Sequence, residues 1–150
     1  MALLAVAVLA GWARTIRTGA LIDQYSRADC VPVRFISRHT RAWDYTLKTR
    51  EGITVRISGV QMPGGRIDVR YMPDGKVSVA ANAGDYIYPA DVRFDRTDER
   101  LYIMASGVPA AFGGPQTWLF EYDLRRRRQT GRARVDPSVL PQVCPVDKSD

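Results

Sequence analysis

Apolar and polar residues alternate with period two along most of this chain. Ile53, Val55 and Ile57 lie on one side of a run whose other side is Thr54, Arg56 and Ser58. That pattern predicts a strand with one buried face. Ile67, Val69 and Tyr71 alternate in the same way with Arg66, Asp68 and Arg70. The turn residues Pro73, Asp74 and Gly75 follow, then a returning strand over 76–80, so the spacing predicts a hairpin. Trp43, Tyr45 and Leu47 mark a strand over 43–49. A further strand over 31–37 begins at an edge because of Pro32. The polar stretch 38–42 and residues 50–52 read as turns.

The densest region runs over 91–140. Residues 91–95, 101–107 and 117–124 are rich in aromatic and branched side chains and are separated by polar turns. They predict a β-meander. A last strand falls at 130–135, after the charged stretch 125–129. Residues 136–141 suit a single helical turn, with Asp136 as cap and Pro137 at its first position. About eight or nine short strands at this spacing predict a mainly all-β, antiparallel meander or sandwich, or a partial propeller-like sheet.

The start of the chain departs from this pattern. Residues 1–12 are Met-Ala-Leu-Leu-Ala-Val-Ala-Val-Leu-Ala-Gly-Trp, with no charge among them. That is too short to span a bilayer, which takes about 20 apolar residues, but it matches the apolar core of a signal peptide. No basic residue precedes it, and Arg14 and Arg17 follow it. A start codon placed too late would account for that missing basic segment. We expect an N-terminal apolar helix over 1–28 acting as an export signal or membrane anchor; the alternative is a helix packed on the domain. Leu21, Ile22 and Tyr25 have helical spacing at its end. The domain proper is expected over 29–145, with a loose tail at 146–150.

Composition narrows the function classes. A chain of 150 residues, 45% hydrophobic and 25% charged, is a folded domain and not a disordered one. Its net charge of +6 comes almost wholly from arginine, which suits either a solvated surface or an acidic partner. Cys30 and Cys144 bracket the domain. A disulfide between them closes a long loop and requires an oxidising compartment such as the periplasm. Two cysteines and one distant histidine do not make a tetrahedral metal set.

No catalytic constellation stands out. His39 sits in a polar turn between Arg38 and Arg41. Neither Ser58-Gly59 nor Ser106-Gly107 lies in a nucleophile elbow. Asp91, Asp95, Asp98 and Glu99 cluster near one turn, so the enzyme alternative is a hydrolase with an acidic site near Asp95 or Asp85. Gly64-Gly65 and Gly113-Gly114 lack the lysine of a phosphate-binding loop. No cofactor or metal is expected. The strongest surface feature is Arg125, Arg126, Arg127 and Arg128, part of six arginines within 125–134. Such a patch steers an acidic protein partner. Phe112, in the apolar loop 109–115, and Trp118 are the apolar candidates for the same surface, although Trp118 alternates with Phe120 and Tyr122 as core residues do. Arginines beside aromatics also suit a nucleic-acid-binding module; no sequence typical of RNA-recognition sheets is present, which argues against it.

Residues 92–124 carry a phrase that resembles one blade of a β-propeller: a strand ending in Asp95, an Arg100-Leu101-Tyr102 strand, and Tyr122-Asp123-Leu124 before a charged hairpin. With the flanking residues of the region 91–140, the resemblance covers about fifty residues. A closed ring needs at least about four blades, more than this chain supplies, so the likeness is local. The chain also resembles, in size and style, small exported bacterial proteins of unknown role, some of which act as inhibitors or immunity proteins against antibacterial toxins. That resemblance implies a non-enzymatic, protein-binding β-domain in the periplasm or anchored facing it.

Overall fold

The computed structural model describes residues 2–32, 34–37, 39, 42–60, 66–82, 87–107 and 116–145. Among these residues one helix, α1 (Ala2–Arg27), precedes ten strands: β1 (Asp29–Cys30), β2 (Arg34–Ser37), β3 (Ala42–Lys48), β4 (Thr54–Val60), β5 (Arg66–Met72), β6 (Val77–Asn82), β7 (Ile87–Asp95), β8 (Arg100–Gly107), β9 (Thr117–Asp123) and β10 (Arg128–Val135). A 3-10 turn, Pro137–Val139, follows; Asp136 caps it by accepting from the Ser138 N–H at 2.9 Å.

The strands form two five-stranded antiparallel sheets. One is a meander in chain order, β2-β3-β4-β5-β6; the other is ordered β1-β7-β8-β9-β10. Both hairpin series follow from the period-two runs and the turns between them. Gly75 takes a positive φ of 69° in the turn between β5 and β6, where a side chain would be strained. The loop 61–65 and the loop 109–115 with Phe112 lie outside the described residues, as do Asp85 and the tail 146–150.

The sheets face each other across one core. Val55, Ile57, Ile67, Val69 and Tyr71 come from one sheet; Val92, Phe94, Leu101, Ile103, Phe120 and Tyr122 come from the other. The architecture is therefore two antiparallel sheets packed face to face, as in a sandwich. Trp43 fills this core directly opposite Gly59 in the β3–β4 ladder. A third layer covers the outer face of the β7–β10 sheet. There Leu21 and Tyr25 of α1 pack on Tyr102, Met104, Leu119 and Val135. This is why β9 is buried on nearly every position instead of on one face.

One expected strand is shorter than the pattern predicts: among the described residues of 31–37, only Arg34–Ser37 form a strand, β2, while β1 ends at Cys30 in the other sheet. Pro32 lies at the break, where its missing N–H cannot continue a ladder. Pro89 is accommodated at a register shift of β7 against β8, for the same reason. The last strand begins at Arg128, two residues earlier than the pattern predicts, and carries an irregularity between Gln129 and Gly131.

Cys30 and Cys144 are joined by a disulfide, with Cα atoms 5.8 Å apart and 114 residues of sequence separation. The bond ties β1 to the segment after the last strand. In the chain-entropy account, closing a loop of this length stabilises the fold by roughly 4–5 kcal/mol.

Candidate functional site

The arginine run occupies the turn between β9 and β10, and its local geometry repeats that of the turn between β7 and β8. Asp95 Oδ1 accepts the backbone N–H groups of Thr97 at 2.8 Å and Asp98 at 3.3 Å. Asp123 Oδ1 accepts those of Arg125 at 2.9 Å and Arg126 at 3.0 Å. Four residues after each aspartate the backbone turns left-handed: Glu99 has φ 52° and Arg127 φ 55°. Non-glycine residues take this conformation at some conformational cost. The two turns touch, since the Leu124 N–H donates to the Glu99 carbonyl at 3.0 Å.

Three of the four arginines are braced from below. Glu99, only 1% exposed, accepts from the Arg125 Nε–H at 2.8 Å through Oε2 and from the Arg50 backbone N–H through Oε1. Burial pushes the Glu99 carboxyl up, but the Arg50 N–H, the Arg125 hydrogen bond and its charge outweigh it. The group is held below the usual carboxylate range. Arg126 sits 3.8 Å from Asp123. Arg127 donates to Asp74 at 3.1 Å and stacks on the Tyr71 ring, 4.1 Å from its centroid. Tyr71 is itself fixed by a hydrogen bond to the Leu124 carbonyl at 2.8 Å and by the Tyr122 hydroxyl at 3.1 Å. Arg128 is exposed beside this set, opposite Asp123 in the ladder. Between the turns a notch of about 150 Å³ is lined by Thr49, Glu51, Tyr71, Glu99, Arg125 and Arg127, among others.

The other candidates do not converge here. Trp118 stands at the opposite end of β9, roughly 17 Å along the strand. It is half-buried against the core, with the Arg132 guanidinium 4.5 Å from its ring centroid. Phe112 lies outside the described residues. The four acids of the enzyme alternative are dispersed. Asp95 caps its turn, Asp98 is exposed, and Glu99 is buried under Arg125. Asp91 points to the helix side, bonded to Tyr25 and Arg93. Among the described residues no group of three or more His, Cys, Asp or Glu is arranged to hold a metal.

Sequence reasoning missed the supporting residues. Asp74 lies 53 positions from Arg127, and Glu99 lies 26 from Arg125; no local pattern links such pairs. The repeated aspartate four residues ahead of a left-handed position was a usable signal. The chain matches no protein-family model, no curated protein and no solved structure.

Proposed function

We propose that this protein is an exported, non-enzymatic β-sandwich domain that binds another protein, and that an acidic surface of the partner docks on Arg125, Arg126, Arg127 and Arg128. The observation that carries this reading is the bracing of the turn. The side chains of Arg125 and Arg127 are 54% and 38% exposed, yet each is tied to an acid of the domain. Guanidinium groups fixed in this way lose little freedom on binding, which raises affinity for a given contact. Arginine also presents a planar fork suited to carboxylates. The Cys30–Cys144 bond supports export, because such bonds persist in oxidising compartments. An inhibitor or immunity role, as in the exported proteins this chain resembles, is the form of binding we favour.

The test is affinity capture from an extract of the native compartment, run beside the Arg126→Glu/Arg128→Glu variant. Arg70→Glu, on an exposed position of β5, serves as control. We expect a partner that is retained by the native protein and the control and lost by the double variant, with weaker capture as salt rises. A partner held equally by all three forms refutes the docking site. Failure to trap the cysteines as a disulfide in cells refutes export.

A further inference from the structure

We infer that the outer edge of β10 takes up an extended acidic segment of the partner protein as an added strand, with alternate carboxylates opposite Arg132 and Arg134. This rests on the protein-binding reading above but not on the arginine turn. β10 is the outermost strand of its sheet and pairs with β9 alone. Among the described residues no main-chain group from outside the sheet bonds to it. Past the irregularity at Gln129, residues 131–135 run in regular register and leave about 17 Å of edge. Such an edge offers unpaired N–H and C=O groups to another chain.

The charges identify the occupant. Arg125, Arg126 and Arg127 each lie beside an acid of the domain. Arg132 and Arg134 are exposed and, among the described residues, have no acid partner; β10 itself contains no Asp or Glu. They stand opposite Phe120 and Trp118 in the ladder, so both point to the same side of the sheet. The Trp118 ring, 4.5 Å from the Arg132 guanidinium, steadies that side chain. A strand laid beside β10 brings alternate side chains against these two arginines, where opposite charges attract and like charges repel. A second copy of this edge would set arginine against arginine and does not fit. The intervening side chains of the added strand point the other way, to the side of Gly131 and Ala133. A cleft of about 690 Å³ between α1 and β10 lies there, with Ala10, Leu21 and Arg17 in its lining. Arg17 is a further exposed cation, and the one acid of that lining, Glu121, is already held by Thr130 at 2.7 Å and Arg100 at 3.5 Å. A nucleic-acid strand would match the charge but has no amide groups to continue the ladder.

Fluorescence anisotropy of a labelled peptide, Glu-Thr-Glu-Val-Glu-Thr with blocked ends, tests this on the full chain. The peptide should bind saturably and more weakly as salt rises. Arg132→Glu/Arg134→Glu should weaken it about tenfold, while Arg70→Glu on the other sheet should leave it nearly unchanged. The isomer Glu-Glu-Glu-Thr-Val-Thr, with its acids out of alternation, should bind less well. Two N-methylated peptides, each blocking one alternate set of amides, separate strand addition from simple charge pairing: one should lose binding and the other keep it, because only one set faces β10. These peptide variants and Arg134→Glu alone carry the test if Arg132→Glu unfolds the domain. Arg126→Glu/Arg128→Glu protein should still hold the peptide, so failure of the arginine turn and failure of this edge are read separately. The inference is overturned if the peptide does not bind, if both N-methylated forms bind as the parent does, or if the β10 variants bind it as the native protein does. It is overturned also if hexathymidylate binds more tightly than the peptide, for then the edge serves a nucleic acid.

Discussion

The Tyr25 hydroxyl on α1 donates to the buried carboxylate of Asp91 on β7 at 2.5 Å. This contact bridges 66 residues and fastens the helix to the sheet. Asp91 is only 5% exposed, and it gathers further donors. Arg93 Nε approaches Oδ2 at 3.1 Å, and the Cys144 N–H reaches Oδ1 at 3.3 Å. Arg93 also lies over the Tyr25 ring at 4.6 Å and donates to the Gln142 carbonyl at 2.9 Å. One carboxylate thus joins the helix, the sheet and the C-terminal segment next to the disulfide.

Removing the hydroxyl isolates its contribution. Tyr25→Phe keeps the ring and its stacking on Arg93 but leaves Asp91 one donor short. A hydrogen bond to a charged group contributes about 1.5–3 kcal/mol, so thermal unfolding should come several degrees lower. Asp91→Ala should be worse, by about 3–5 kcal/mol, because it leaves the Arg93 guanidinium buried without its carboxylate. Calorimetry that ranks the two variants in the reverse order refutes this account of the hub.

The two halves of the fold differ in how far they can be read in advance. Ile67, Val69 and Tyr71 are inward as the alternation predicts, and Val55 and Ile57 likewise, because a single buried face writes itself into period two. The second burial of β9 has no such trace. Leu119 faces the helix layer and Phe120 faces the core, so both are fully buried, and adjacent apolar residues blur the period. Polar residues hid the hub altogether: Asp91 and Arg93 alternate with Val92 and Phe94, yet they are buried where Tyr25 of α1 meets them. The arginine turn was legible as a charged hairpin, but its bracing by Asp74 and Glu99 was not, since sequence distance carries no pairing information.

Gly59 is a packing requirement. A Cβ built there would lie 2.7 Å from Trp43 Cζ2 and 2.9 Å from Cε2, and the ring is 2% exposed with little room to move. Gly59→Ala should destabilise by about 1–3 kcal/mol, with Gly59→Val worse. Chemical denaturation of the series checks this. An alanine variant as stable as the native protein places the tryptophan ring elsewhere.

The disulfide should dominate stability. Cys30→Ser or Cys144→Ser should each cost about 2–5 kcal/mol. Reductant should lower the melting point of the native protein to near that of the variants and leave theirs unmoved. A melting point indifferent to reductant refutes the assignment.

Alkaline pH should unfold the protein through its buried tyrosines. Burial foremost, then neighbouring acids or hydroxyls, pushes Tyr25, Tyr71 and Tyr102 well above their ordinary value near 10. Folded-state values above the unfolded one mean that this contribution is intact below about pH 10 and is lost as pH rises toward the folded values. Each such tyrosine should remove about 1.4 kcal/mol per pH unit in that window. Absorbance titration should show these three ionising only together with unfolding; their free titration in the folded state contradicts the burial.

Glu99 gives the opposite limb and bears on the proposed docking surface. Its carboxyl is lowered in the folded state, so its stabilisation is present above the unfolded value near 4.3 and is lost as pH falls through the folded one. Glu99→Gln keeps the shape and an acceptor for the Arg50 N–H but removes the charge that holds Arg125. At neutral pH the variant should be less stable by roughly 1–3 kcal/mol. Below pH 4 the gap between variant and native protein should narrow, since native Glu99 is then becoming neutral as well. Arg125, released from its brace, should also bind an acidic partner less well, because it must be ordered on binding. Denaturation curves collected from pH 3 to pH 7 decide the matter: a gap that stays constant over that range means the carboxylate does not clamp the turn.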